Sequence, residues 1–206
     1  MKFVLATQNP KKKEELAAIL ADLGVEIVTE EELGVHVEVE ETGETFGQNA
    51  ALKAKAVMEA TGLPAIGDDS GLCVDALNGG PGVYSARYGG EGLSDANRCA
   101  LVLDSLRGKT DRRAHFETAV VAAFPNGEWI AGRGRCDGTI AFAPMGTGGF
   151  GYDPIFFITD ARKTFAQMTA EEKAAISHRG NALRAFKEKL TEYLSKHPEA
   201  GHGTDE

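Results

Sequence analysis

The stretch Val120-Val121-Ala122-Ala123-Phe124-Pro125-Asn126-Gly127-Glu128-Trp129-Ile130 joins two long β-prone segments, residues 113–124 and 128–140. Asn-Gly between apolar runs is a strong hairpin signal, because both residues tolerate the positive φ of a tight turn. His115 and Trp129 lie inside these segments and read as packing residues, not ligands. On the N-terminal side, strand and helix patterns alternate. Phe3 to Ala6 reads as a buried strand. Leu16, Ile19, Leu20 and Leu23 then recur at helical spacing up to Gly24, which ends the helix, and residues 25–28 form a second strand. Val35, Val37 and Val39 alternate with His36, Glu38 and Glu40, which predicts a strand with one solvated face. Phe46, Ala50, Ala54, Val57 and Met58 line one side of the next helix. A helix from Ser94 to Leu106 with Ser94 as its cap follows, and a last helix near 179–194 carries Leu183, Phe186, Leu190 and Leu194 on one stripe. Helices and strands in alternation, combined with a long antiparallel hairpin, predict an α/β fold. Its sheet should be mixed, strongly twisted and flanked by helices, not doubly wound and parallel.

A chain of 206 residues with 42% hydrophobic content can bury a sizeable core, and it reads as one domain over residues 1–196. The tail from 197 to 206 has no periodicity and is expected to be mobile. A net charge of −9 argues against nucleic acid or a membrane surface as partner, since such binders need a basic face to replace phosphate counterions. Cys73, Cys99 and Cys136 are odd in number and widely spaced, which fits reduced thiols in a core and neither a disulfide framework nor a zinc site. No apolar run reaches membrane-spanning length, and the first residues read as a strand, not a signal peptide, so a cytoplasmic protein is expected.

The chemistry concentrates in a few segments. Gly67-Asp68-Asp69-Ser70-Gly71-Leu72-Cys73-Val74-Asp75 sets two adjacent carboxylates between apolar segments, which reads as a Gly-bounded turn carrying a metal or base position; an Asx-type turn that merely caps a backbone N–H is the alternative. Thr7-Gln8-Asn9-Pro10-Lys11-Lys12 opens a helix with a good N-cap, Asn9, and a good first residue, Pro10. Lys11, Lys12 and Lys13 then crowd the positive end of the helix dipole, where a bare helix prefers acidic residues by roughly 0.3–1 kcal/mol per exposed charge. That arrangement makes sense if an anion binds there, with orphan N–H groups, the Thr7 and Asn9 side chains and the lysines facing phosphate oxygens. The alternative is that the lysines extend into water and pair with Glu14 and Glu15. Ser177-His178-Arg179 repeats the pattern, with Ser177 as cap and two potential cations. Gly146 to Gly151 matches the letter of a dinucleotide fingerprint, but residues 153–157 read as strand, so no helix follows to hold a pyrophosphate.

Four ordered segments together resemble one family: residues 7–12, residues 67–88 with Asn78-Gly79-Gly80-Pro81-Gly82, the run Gly148-Gly149-Phe150-Gly151-Tyr152-Asp153-Pro154, and Ser177-His178-Arg179-Gly180. In these residues the chain is similar to the inosine/xanthosine triphosphate pyrophosphatases, the Ham1-like enzymes that hydrolyse non-standard purine nucleoside triphosphates. The resemblance implies an elongated central sheet, two lobes with a cleft between them, and a homodimer. It implies a Mg²⁺-dependent pyrophosphatase that turns inosine, deoxyinosine and xanthosine triphosphates into the monophosphate and pyrophosphate. Asp69 is then the carboxylate that deprotonates or orients water, and Ser70 lies beside it on the substrate. Metal contacts come from Asp69 and from Glu40 or Glu41, with Glu41 preferred. Asp68 steers the site electrostatically or meets the metal through water. Thr7, Gln8, Asn9, Pro10, Lys11 and Lys12 take the phosphates, and Phe150, Gly151, Tyr152, Asp153, Lys173, His178 and Arg179 take the base. Phe150 would stack on the purine while Lys173 and Arg179 donate to O6; read from the residues alone, Phe150 is equally a core residue. Two other readings stand beside this one: a Maf-like pyrophosphatase of different base preference, and a nucleotide-binding module without turnover.

Overall fold

The computed structural model describes residues 1–7 and 9–198. Gln8, and all of the expected tail except His197 and Pro198, lie outside the described residues. Among the described residues, eight strands and five α-helices run in the order β1 (Lys2–Leu5), α1 (Pro10–Leu20), β2 (Glu26–Thr29), α2 (Phe46–Thr61), β3 (Ala65–Val74), β4 (Gly80–Pro81), α3 (Asp95–Ser105), β5 (Arg113–Ala123), β6 (Trp129–Ile140), β7 (Phe156–Ile158), β8 (Lys163–Thr164), α4 (Ala170–Ile176) and α5 (His178–Lys196). They build one sheet of order β2-β1-β3-β5-β6-β7-β8, with β4 on β3. Strand β1 is parallel to β2 and β3, whereas β3–β4, β6–β7 and β7–β8 are antiparallel. The sheet is therefore mixed, as the βα units and the hairpin predict. Residues 125–127 turn the hairpin: the Gly127 N–H donates to the Phe124 carbonyl at 2.9 Å and the Phe124 N–H to the Glu128 carbonyl at 3.0 Å.

The described residues form two compact units, one within 1–69, 118–134 and 182–198, the other of residues 70–117 and 135–181. In the first unit, alternation along β1 sorts the core onto two faces. Phe3 and Leu5 join Leu16 and Leu20 of α1 and Leu183, Phe186 and Leu190 of α5. Val4 and Ala6 join Val28, Ala65 and Val57 of α2. In the second unit, Leu72, Val74, Cys99, Val102, Leu106, Phe116, Ile140, Tyr152, Ile155, Phe156 and Phe165 form the core. All three cysteines are buried and free, as their spacing predicts. Among the described residues no helix is long and apolar enough to cross a membrane.

Four local expectations change. The carboxylate pair is not in a turn: β3 runs unbroken from Ala65 to Val74, and neither Gly67 nor Gly71 takes a positive φ. Gly67 is needed for a different reason, since a Cβ there would lie 2.8 Å from the Ala54 nitrogen of α2. Its missing side chain lets the helix backbone rest on the strand. Residues 35–40 alternate between half-buried and exposed as expected, yet they are not in a strand. The Val37 N–H donates to Glu30 Oε2 at 3.0 Å, so a side chain takes the place of a neighbouring strand. Trp129 is 45% exposed and is not a packing residue. His197, assigned to the tail, is tied back, with Nε2 3.1 Å from Glu128 Oε2 and its ring stacked on Tyr193 at 4.2 Å.

Candidate active site

The first unit assembles one set of residues around α1, α2 and β3. Asn9 caps α1 by accepting the Lys11 N–H at 3.0 Å, and Thr7 Oγ1 accepts the Asn9 N–H at 3.2 Å. Pro10 occupies the start of the helix, and no acidic residue stands in its first turn. A cap of this kind contributes about 1 kcal/mol. Two of the three lysines reach carboxylates outside α1. Lys12 Nζ lies 2.7 Å from Asp68 Oδ2 and Lys13 Nζ 2.5 Å from Glu32 Oε1, while Lys11 is exposed.

Because β3 is continuous, Asp68 and Asp69 project to opposite faces. Asp68, 3% exposed, meets Lys12 of α1. Asp69 meets α2, where Asn49 Nδ2 donates to its Oδ2 at 3.1 Å. Asn49 is fully buried, and its Oδ1 accepts the Gly43 N–H at 2.7 Å. One turn further along the same face of α2, Lys53 Nζ pairs with Glu41 Oε1 at 2.7 Å. Helix α2 thus gathers Asp69 and Glu41 onto adjacent turns, whereas Glu40 is exposed. Sequence reading missed Asn49 and Lys53. The signal was there: both are polar at positions spaced with Phe46, Ala50, Ala54 and Val57 on the buried stripe.

The second unit assembles the other set. Phe150 is 72% exposed between Gly149 (φ +70°) and Gly151 (φ +60°), so it is not a core residue. Asp153, 2% exposed, accepts the Phe150 N–H at 3.1 Å and the Lys173 ammonium at 2.5 Å. Burial raises the Asp153 carboxyl above the usual range, against the opposing pull of Lys173. Lys173 Nζ also stands 4.8 Å from the centre of the Phe150 ring, within cation–π range. Ser177 caps α5, its hydroxyl accepting the Gly180 N–H at 3.0 Å. The His178 ring stacks on Phe116 at 4.5 Å and 14°.

His178 is not the cation expected at that helix start. Burial, with Lys173 and Arg179 nearby, pushes its pKa down to about 3, so it is neutral at physiological pH and Arg179 carries the charge. The residue keeps some exposure, but its Nδ1 is sealed and has no hydrogen-bond partner. Tyr152 also departs from expectation. It is 5% exposed, its hydroxyl donates to the Ser85 carbonyl at 2.7 Å, and burial raises its pKa; its side chain belongs to the core. Gly151 has its N–H on Asp95 and its carbonyl on Cys99. Ser70 and Arg179 are half-buried.

Among the described residues, no group of three or more His, Cys, Asp or Glu side chains could hold a metal ion. Mg²⁺ does not require such a group, because it is commonly held by one or two carboxylates together with substrate phosphates and water. Asp69 and Glu41 supply hard oxygen donors of that kind, held by Asn49 and Lys53 one turn apart on α2.

A family model described as the Ham1 family matches residues 3–189. A dITP/XTP pyrophosphatase of Thermus thermophilus is 51% identical over 190 residues, covering 91% of this chain and 91% of that protein. The dITP/XTP pyrophosphatase of Escherichia coli O157:H7 is 49% identical over 195 residues, covering 92% of this chain and 98% of that protein. Among solved structures, the Staphylococcus aureus Ham1 protein superimposes with a TM-score of 0.89 at 41% identity, over 94% of this chain and 100% of that chain.

Proposed function

The chain belongs to the Ham1 family, and from that premise we propose that it hydrolyses inosine, deoxyinosine and xanthosine triphosphates to the nucleoside monophosphate and pyrophosphate. The observation that carries this reading is the grip of Asn49 on Asp69, one helical turn from the pair Lys53–Glu41. A carboxylate held at one oxygen by a buried amide is fixed in orientation, as a general base must be. Asp69 takes a proton from water as the water oxygen forms its bond to the α-phosphorus. The bond from that phosphorus to the bridging oxygen breaks, and pyrophosphate leaves with the electron pair. The N-terminus of α1, with Lys11 and Lys12, stabilises the charge on the leaving phosphates through orphan N–H groups and ammoniums. Asp69 and Glu41 would hold Mg²⁺, which when bound neutralises phosphate charge that the protein's cations leave unmet.

The base falls to the second set. Phe150 offers an exposed ring face for stacking. Lys173, anchored by Asp153, and Arg179 are donors suited to a 6-oxo group. Adenine presents an amino donor at that position, so donor would face donor, and unpaired polar groups in a closed site make adenine a poor substrate. Neutral His178 adds a donor or acceptor without adding charge. A cytoplasmic location belongs to the same proposal, supported by three buried free thiols suited to a reducing compartment. So does a homodimer, which sedimentation at several concentrations checks. The discriminating experiment is a panel of nucleoside triphosphates, with and without Mg²⁺, scored for pyrophosphate. Pyrophosphate from inosine and xanthosine triphosphates with Mg²⁺ supports the proposal; orthophosphate, or no product, overturns it.

A further inference from the structure

An aromatic ring that is 72% exposed is not oriented by core packing, so its direction is set by the backbone on either side together with the Lys173 ammonium 4.8 Å from its centre. Glycines flank Phe150, both at positive φ, and a segment of that kind has wide conformational freedom unless something outside it restrains the chain. Among the contacts that restrain it, three bear on the residues at the ring itself. Asp153 accepts the Phe150 N–H at 3.1 Å, Asp95 Oδ2 accepts the Gly151 N–H at 2.7 Å, and Cys99 Sγ donates to the Gly151 carbonyl at 3.4 Å. Asp95 and Cys99 stand four residues apart, on one face of α3. We infer that Asp95 and Cys99 are positioning residues that clamp Gly151 and thereby hold the Phe150 ring in the attitude a purine stacks upon. The inference rests on the reading of Phe150 as the base-stacking surface.

The two contacts differ in strength. Asp95 is a charged acceptor at short range, and such bonds are about twice as strong as neutral ones. Arg98 steadies it, with Nη1 3.4 Å from Asp95 Oδ1. The Cys99 thiol is a weak donor, but it is 2% exposed and burial pushes its pKa up to about 11, so it stays protonated at neutral pH. Asp95 has a competing explanation: an acidic residue in the first turn of α3 favours the helix dipole whether or not it touches the loop. That role depends on charge, whereas the clamp depends on an acceptor oxygen. Asp95→Asn separates the two.

Trp129 is the sole tryptophan of the sequence, so a Trp129→Phe, Phe150→Trp chain carries a single indole in the loop. Its time-resolved fluorescence anisotropy reads ring mobility without any turnover. The clamp predicts a larger fast component in Asp95→Ala, a smaller increase in Cys99→Ala, and near-parent behaviour in Asp95→Asn. In the chain that retains Phe150, Asp95→Ala should raise KM for inosine triphosphate about tenfold, the loss of one good hydrogen bond. Inhibition by imidodiphosphate, which has no base, should stay unchanged. Unaltered anisotropy and KM in Asp95→Ala overturn the clamp, as does an Asp95→Asn chain that behaves like Asp95→Ala. A fast component that grows in Asp95→Ala, in a protein whose parent does not hydrolyse inosine triphosphate, upholds the clamp and overturns the proposed function instead.

Discussion

Asn49 donates its side-chain amide to Asp69 at 3.1 Å while accepting the Gly43 N–H at 2.7 Å, so one buried residue ties the β3 carboxylate to the backbone two residues beyond Glu41. Asp69→Asn would set one amide against another and remove the base, with little loss of phosphate contact. Turnover should fall below detection while nucleotide binding, measured by calorimetry, stays within about tenfold of the parent. Near-normal turnover would remove Asp69 from the mechanism.

Lys12 has two duties, one to Asp68 and one to phosphate, and they can be separated. Lys12→Ala removes the ammonium 2.7 Å from a carboxylate that is 3% exposed, so it should cost stability, on the order of 1–3 kcal/mol, as well as affinity. In Lys12→Ala/Asp68→Asn, the stability should return while triphosphate binding stays weak. The binding defect should also shrink as salt rises, since an ammonium–phosphate contact at a solvated helix end is screened. A defect of equal size at all salt concentrations would reassign the lysine to structure alone.

His178 makes stability depend on pH with a definite sign. Its pKa is depressed from 6.5 to about 3 in the folded chain. The unfolded chain therefore binds the extra proton first as pH falls. The histidine's contribution is fully present above pH 6.5 and declines from there toward pH 3. His178→Phe keeps a ring to stack on Phe116 and has no proton to gain, so its urea midpoint should vary less than the parent's between pH 6.5 and about 4. Parallel profiles would show that the imidazole is charged in the folded protein.

Much of the fold was legible because local signals agreed with one another. Asn9 followed by Pro10 marked the start of α1, Asn126-Gly127 marked the hairpin, and Ser94 marked the cap of α3, each through a backbone requirement that few residues meet. The carboxylate pair was misread as a turn because Gly67 signals either a bend or a close approach, and the helix that approaches is over ten residues away in sequence. The same distance hid Asn49 and Lys53, whose polarity on a buried stripe gains meaning only once Asp69 and Glu41 are seen opposite them. Residues 35–40 kept their alternation but not a strand, since exposure follows the side chains whereas a strand needs a neighbouring backbone. The charge state of His178 lay beyond sequence because burial, not residue type, sets it.

Selectivity depends on which donors face the base. Arg179→Ala should lower activity on inosine triphosphate strongly and narrow its advantage over ATP, an advantage that in sites built on buried donors approaches about 10⁴. Phe150→Ala should weaken all purines alike. An equal loss on inosine triphosphate and ATP in Arg179→Ala would make Arg179 a phosphate ligand and leave the base to Lys173 and His178.

Water is expected to attack the α-phosphorus of a 6-oxopurine triphosphate. Hydrolysis of inosine triphosphate in ¹⁸O-labelled water, followed by ³¹P NMR, tests it most directly. Attack at the α-phosphorus gives two products, the monophosphate bearing the isotope shift and unlabelled pyrophosphate. Label in the pyrophosphate, or release of orthophosphate, would contradict it.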